Sequence, residues 1–256
     1  MDVVIVEDQE ALGGTAASLV VEGLRADPRL VLGVATGSSP VTTYRALLAA
    51  HREGLDFSQV HCVALDEYVG IPASDPASYH SFVRREIAVP LDLRPENVLV
   101  PDGNAPDPTE ACAAFEDAVR GLGGVGIQLL GIGRNGHVGF NEPGSPFGSR
   151  TRIARLSPTT RADNARFFPR PEDVPTHCLT QGLGTILDAA RIVLVASGSH
   201  KARAIAAAVE GPVTEACPAS VLQLHPDATV IVDRDAASEL HRISRRHASL
   251  GGDWLD

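Results

Sequence analysis

Lysine is nearly absent from this sequence: of 22 basic residues, 21 are arginine and only Lys201 is a lysine. Arginine bias of this kind follows genome composition, but it makes the single retained lysine worth tracing. Acidic residues outnumber basic ones 32 to 22, for a formal charge of −10, which argues against duplex DNA or an anionic membrane surface as the main partner. No apolar run approaches the roughly 18 residues of a membrane-crossing helix. The chain turns acidic at Glu7 and Asp8 after the apolar Val3–Val6 and carries no basic leader, so no secretory signal is expected. The four cysteines, Cys62, Cys112, Cys178 and Cys217, stand far apart with no C-x-x-C pair. Buried, reduced thiols in a cytoplasmic protein are therefore expected, not a disulfide frame or a zinc site. Internal repeats, low-complexity tracts and Pro/Ser linkers are missing as well.

What is present suits one large α/β domain. The chain has 256 residues, 44% hydrophobic and 21% charged, which excludes a disordered chain and a coiled coil. A chain of this length can bury roughly three quarters of its unfolded surface. Short apolar runs at Val3–Val6, Val31–Ala35, Val60–Leu65, Ile127–Ile132, Arg191–Ala196 and Thr229–Asp233 read as strands. Helix-like stretches at Gln9–Arg25, Val41–Arg52, Tyr79–Ile87, Thr109–Leu122, Ser199–Glu210 and Ala236–His247 alternate with them. Continuous apolar strands between amphipathic helices predict a mainly parallel, Rossmann-like sheet with helices on both faces. The longest stretch without a clear strand, Gly133–Thr185, is rich in Gly, Pro, Asn and Arg and reads as a loop or lid.

In such sheets the chemistry gathers at the carboxyl ends of the strands. After the second run comes Ala35-Thr36-Gly37-Ser38-Ser39-Pro40. Gly37 permits a tight turn, Pro40 suits the first helical position, and Ser38 and Ser39 with free N–H groups can meet a phosphate. The same pattern is also that of an ordinary capped turn. It matches neither G-x-G-x-x-G nor G-x-x-x-x-G-K-[ST], so neither a dinucleotide nor an NTP is indicated. After the third run comes Leu65-Asp66-Glu67-Tyr68. Adjacent side chains in an extended chain point to opposite faces, so one carboxylate can enter a cleft as a general base while the other braces a neighbour. An Asp merely capping the next turn fits the fragment equally well.

The fourth run leads into Gly131-Ile132-Gly133-Arg134-Asn135-Gly136-His137-Val138-Gly139-Phe140-Asn141-Glu142-Pro143. Its glycines allow close backbone approach, and His137 with Glu142 supplies a titratable pair for proton transfer near neutrality. A second histidine or carboxylate at metal-ligand spacing is not evident. After the fifth run comes Gly198-Ser199-His200-Lys201, where Ser199 can cap a helix. A lysine in a first helical turn opposes the macrodipole unless an anion sits there, although a solvated lysine would pay little for that position.

As an ordered set these clusters resemble the glucosamine-6-phosphate deaminase family. Further matching stretches are Gly103-Asn104-Ala105-Pro106, Ser149-Arg150-Thr151-Arg152, Asn164-Ala165-Arg166-Phe167-Phe168 and Leu222-Gln223-Leu224-His225-Pro226. The resemblance covers nearly the whole chain and implies a modified Rossmann-like fold, no cofactor and no metal. It implies conversion of glucosamine 6-phosphate and water to fructose 6-phosphate and ammonia. Position by position, it implies that Asp66 shuttles the proton from C2 to C1, and that His137 assists ring opening, supported by Glu142. It assigns phosphate binding to Ser38, Ser39, Arg166 and Lys201, beside Gly37. Homo-oligomerisation is left open.

Two departures from the family pattern stand out. Where its best-known form reads G-x-D-G-H, this chain reads Gly133-Arg134-Asn135-Gly136-His137. Asn135 can orient the imidazole but cannot stabilise an imidazolium by charge. Allosteric members bind N-acetylglucosamine 6-phosphate through basic residues in the segment matching Ser149–Leu156. Here Arg152 is kept, but Ala154 stands where those members carry lysine, and Pro146 replaces a serine. With a C-terminus, Gly251–Asp256, that looks shorter than theirs, weak or absent activation is expected. The rival 6-phosphogluconolactonases typically read D-G-H and then Leu-Phe-Pro, unlike Val138–Pro143 here. A sugar-phosphate sensor would need a DNA-binding module, for which the strand beginning at Val3 is expected to leave no room. A galactosamine 6-phosphate preference remains open, since epimer choice depends on few contacts.

Overall fold

In the computed structural model of the chain, residues 1–241 are described. The first half runs β1 (Asp2–Val6), α1 (Gln9–Ala26), β2 (Val31–Val34), α2 (Val41–Arg52), β3 (His61–Ala64), β4 (Asp66–Tyr68), α3 (Tyr79–Val83) and β5 (Val98–Leu99). The second half runs α4 (Pro108–Gly121), β6 (Ile127–Leu130), β7 (Arg152–Arg155), α5 (Pro158–Asn164), β8 (His177–Thr180), α6 (Leu183–Leu187), β9 (Arg191–Ala196), α7 (Ala202–Val209) and β10 (Ala228–Asp233).

Seven strands in the order β1-β10-β9-β6-β2-β3-β5 form one sheet, and every pairing in it is parallel. Alternation along each strand divides the core into two layers. Ile192, Leu194 and Ala196 of β9 face one layer with Phe115 of α4 and Ile205 of α7. Val193 and Val195 face the other, with Leu12, Ala16 and Val20 of α1 and Leu47 of α2. Leu12, Ala16 and Val20 recur every fourth position and are fully buried, so this stripe docks α1 on the sheet. Truncating Leu12 to Ala would cost about 2–5 kcal/mol through lost burial and the cavity left behind. Asp8 caps α1 by accepting from Glu10 N at 3.0 Å and Ala11 N at 2.9 Å. Gly33 in β2 has no room for a side chain: a Cβ there would lie 2.2 Å from Oε1 of the buried Gln128 on β6.

The strand-poor stretch expected over 133–185 is corrected by the structure. It holds β7 and β8; β8 pairs antiparallel with both β4 and β7 in a second, three-stranded sheet of order β4-β8-β7. Each of these strands has only three or four residues, too short for a periodic signal. Leu65 is the junction between the sheets, since its N donates to Val34 O and its O accepts from Gln181 N at 2.8 Å. The predicted helix over Tyr79–Ile87 is α3 continued as a π-helical turn, Arg84–Ala88. Of the helix predicted over Ala236–His247, Ala236–Glu239 form turns and residues 242–247 lie outside the described residues, as do Gly251–Asp256.

Candidate active site

The polar clusters follow β2, β3, β6 and β9, four of the inner strands of the large sheet, and their side chains line one cavity of about 460 Å³. Gly37, Ser38, Ser39, Asp66, His137, Arg166 and Lys201 all reach it. Asn135 and Glu142 stand behind His137 and do not line it.

The turn after β2 is stitched from below. Tyr44 of α2 donates its hydroxyl to Ala35 O at 2.7 Å and accepts from Ala35 N at 3.1 Å. Gly37 has a φ of 105°, a left-handed conformation that disfavours any other residue. Pro40 occupies the N-cap of α2, one position earlier than its expected place inside the helix.

Asp66 and Glu67 point apart, as alternation requires. Asp66 is 4% exposed and faces the cavity. Burial, reinforced by the neighbouring Glu67 charge, pushes its carboxyl well above the ordinary carboxylate range. Glu67 turns the other way and accepts from Tyr68 N at 2.8 Å, Tyr79 N at 3.0 Å and His80 N at 2.8 Å. It thereby fixes the start of α3, which delivers Tyr79 to the cavity.

The segment after β6 builds a relay. Asn135 Nδ2 donates to Glu142 Oε2 at 2.7 Å, which leaves Asn135 Oδ1 facing His137 Nδ1 at 2.7 Å. The carboxylate can only accept, so the amide orientation is fixed, and Nδ1 must carry the imidazole proton. The Nε2 lone pair of a neutral His137 is then free. Burial lowers the His137 pKa, Glu142 opposes that shift, Lys201 adds to it and Asp163 opposes it. Burial alone would raise the Glu142 carboxyl; hydrogen bonds from Thr160, the nearby His137 and the Asn135 amide outweigh it and hold the group below its ordinary range. Thr160 Oγ1 and Ser157 N, both at the start of α5, supply hydrogen bonds to Glu142 Oε1. Gly133 is required by the relay, because a Cβ there would lie 2.1 Å from His137 Cε1.

After β9, Ser199 does not cap a helix. Residues Ser199–Lys201 form a 3-10 turn ahead of α7, with Gly198 at the cap position in a left-handed conformation, φ 89°. Neither the turn nor α7 has a side-chain cap; Asp233 at the end of β10 instead holds the loop ahead of them, accepting from Ser197 Oγ at 2.5 Å, Gly198 N at 3.0 Å and Ala236 N at 2.8 Å. Lys201 Nζ donates to Ile132 O at 2.7 Å, and Arg166 lies over the Phe167 ring with its Cζ 4.7 Å from the centroid.

Sequence reasoning missed Asp233, Thr160, Tyr79, Arg134 and Asp163. The last four line the cavity. Position at a strand end offered a signal for Arg134 and Asp233 alone. Among the described residues no three His, Cys, Asp or Glu side chains converge as metal ligands, and no helix is long and apolar enough to cross a membrane. All four cysteines are buried and unpaired.

Comparisons with known proteins place nearly the whole chain among named relatives. The glucosamine-6-phosphate deaminase of Pseudarthrobacter chlorophenolicus is 54% identical over 240 residues, 94% of this chain and 93% of that protein. That of Cutibacterium acnes is 53% identical over 241 residues, 94% of this chain and 92% of that one. A solved structure of a monomeric glucosamine-6-phosphate deaminase superposes with a TM-score of 0.92 at 44% identity, covering 93% of this chain and 100% of that one. The 6-phosphogluconolactonase of Trypanosoma cruzi shares the fold, with a TM-score of 0.77 at 22% identity over 93% of this chain and 96% of that one. Residues 7–231 match the family described as glucosamine-6-phosphate isomerases/6-phosphogluconolactonase, and the chain belongs to it.

Proposed function

We propose that this protein is a glucosamine-6-phosphate deaminase, with Asp66 as the base, the His137–Asn135–Glu142 relay for ring opening, and Gly37, Ser38, Ser39, Arg166 and Lys201 around the phosphate. The observation that carries this reading is that a buried carboxylate and a histidine with a free Nε2 open into the same cavity as the cationic cluster.

Ring opening moves one proton from O1 to O5. A neutral imidazole can accept the first and return the second, ending as it began. Isomerisation then moves a proton from C2 to C1, while the C2 ammonium gives a proton to O1 and becomes an iminium. One carboxylate within reach of two adjacent carbons suffices for the carbon-to-carbon transfer. Asp66 prefers to be neutral in the empty site, and the substrate's ammonium favours its ionised, basic form. Water adds to the iminium carbon and ammonium leaves, giving the ketose phosphate. Binding energy from the phosphate, remote from the reacting carbons, holds C1 and C2 against the base.

The segment from α5 to Phe167 serves as a cover for the cavity, a role supported by Thr160, Asp163, Asn164, Arg166 and Phe167 all lining it. Activation by N-acetylglucosamine 6-phosphate is weak or absent. In support, Arg152 is already engaged, donating to Asn141 Oδ1 at 2.7 Å and Ser145 Oγ at 3.1 Å, and Pro146 and Ala154 line the small cavity beside it. The monomeric solved relative supports a monomer here as well.

The test is ammonia release by purified protein, with chelator present, from glucosamine 6-phosphate and galactosamine 6-phosphate, beside hydrolysis of 6-phosphogluconolactone. Turnover of the glucosamine ester is the expected result. Turnover of another substrate moves the specificity, and tight binding without turnover would make the protein a sensor.

A further inference from the structure

The cavity's lining contains two acidic residues, Asp66 and Asp163, against Arg85, Arg134, Arg166, His200 and Lys201. Asp66 has a role in the reading above; Asp163 has none. It stands in the last turn of α5, where a carboxylate opposes the helix dipole, so local helix energetics do not favour it. Its carboxylate meets Arg134 in a loose pair, Nε to Oδ2 4.0 Å, with the two side chains 60% and 44% exposed. The field of Asp163 reaches further. Burial lowers the Lys201 pKa, and Asp163 is the carboxylate that resists this, while Arg134 and Arg166 lower it further. Asp163 acts in the same direction on His200 and His137, again against burial. Among the described residues, neither Lys201, bound to a carbonyl, nor Arg166, over an aromatic ring, forms an ion pair with a carboxylate.

We propose that Asp163 is a built-in counter-anion of the phosphate site, competing with the phosphate of substrate and product for Arg134, Arg166, His200 and Lys201. This rests on the phosphate site proposed above. In the empty cavity the carboxylate offsets the mutual repulsion of the cations. Once a phosphate dianion enters, the same carboxylate becomes a like charge beside it and weakens binding. Because substrate and product carry the same phosphate, the effect lowers affinity for both and eases product departure.

The test is binding of inorganic phosphate, by calorimetry at low ionic strength, to the wild type, Asp163→Asn, Asp163→Ala and Lys201→Ala. Removing the charge at Asp163 is expected to tighten phosphate binding by about three- to tenfold, and to lower KM for glucosamine 6-phosphate in parallel. The gain should shrink toward nothing in about 1 M neutral salt, where the screening length falls to about 3 Å. Two Asp163 variants are used so that one poorly folded protein does not decide the matter. If Lys201→Ala weakens binding but neither Asp163 variant tightens it, the counter-anion is overturned and the phosphate site stands. If Lys201→Ala binds phosphate as the wild type does, the site itself falls and this inference with it.

Discussion

Oδ1 of Asn135 lies 2.7 Å from Nδ1 of His137 and so fixes which imidazole nitrogen faces the cavity unprotonated. An aspartate at 135 would do this with charge; here the charge is one step removed, on Glu142, 3.8 Å from Nδ1. The arrangement orients the ring while leaving burial free to lower its pKa.

Asn135→Asp should therefore shift the pH profile more than the rate. A carboxylate beside Nδ1 raises the imidazole pKa, so neutral His137 is lost at a higher pH and the acid limb of kcat/KM moves upward. Asn135→Ala removes the bridge itself and should lower kcat by about 10- to 100-fold, as small misplacements of catalytic groups do. An upward shift absent from Asn135→Asp would contradict the relay.

The raised carboxyl of Asp66 makes a stability prediction with a definite sign. The fold favours the protonated form, so its contribution is fully present below the ordinary carboxylate pKa and is lost as pH rises through the higher folded value. Asp66→Asn, which cannot ionise, should raise the melting midpoint at neutral pH by on the order of 2–4 °C, and leave it unchanged in acid below the ordinary range. Thermal melts at two pH values decide this.

Gly133→Ala should damage chemistry without damaging phosphate binding. The new Cβ would sit within van der Waals overlap of the His137 ring, so the imidazole must leave its relay. A loss of kcat of about 100-fold is expected, with inorganic phosphate affinity unchanged. Steady-state rates and calorimetry separate the two.

Lys201→Ala should chiefly raise KM, by about ten- to hundredfold, the equivalent of a lost charged hydrogen bond of roughly 1.5–3 kcal/mol. An unchanged KM would remove Lys201 from the phosphate site and leave it only its bond to Ile132 O.

Six strands of the parallel sheet were legible because most are buried on both faces and read as unbroken apolar runs, such as Arg191–Ala196, whereas the edge strand β5 has only two residues and was not. The small sheet was not, since Arg152–Arg155 alternates over only four residues and the strand-to-strand step at Leu65 hides inside one apolar run. Ser38, Ser39, Asp66, His137 and Lys201 could be found by their place after strands. Arg166 came only from resemblance. Asp163 and Thr160 reach the cavity through the way α5 folds back over it, and no spacing in the sequence announces that.

The account stands or falls most directly on ammonia release from glucosamine 6-phosphate by Asp66→Asn beside the wild type, with substrate binding measured on both. The predicted result is turnover by the wild type and a loss of at least about 10²- to 10⁴-fold in kcat in the variant, with binding nearly intact. Equal turnover by the two proteins would remove Asp66 as the base and contradict the proposed mechanism.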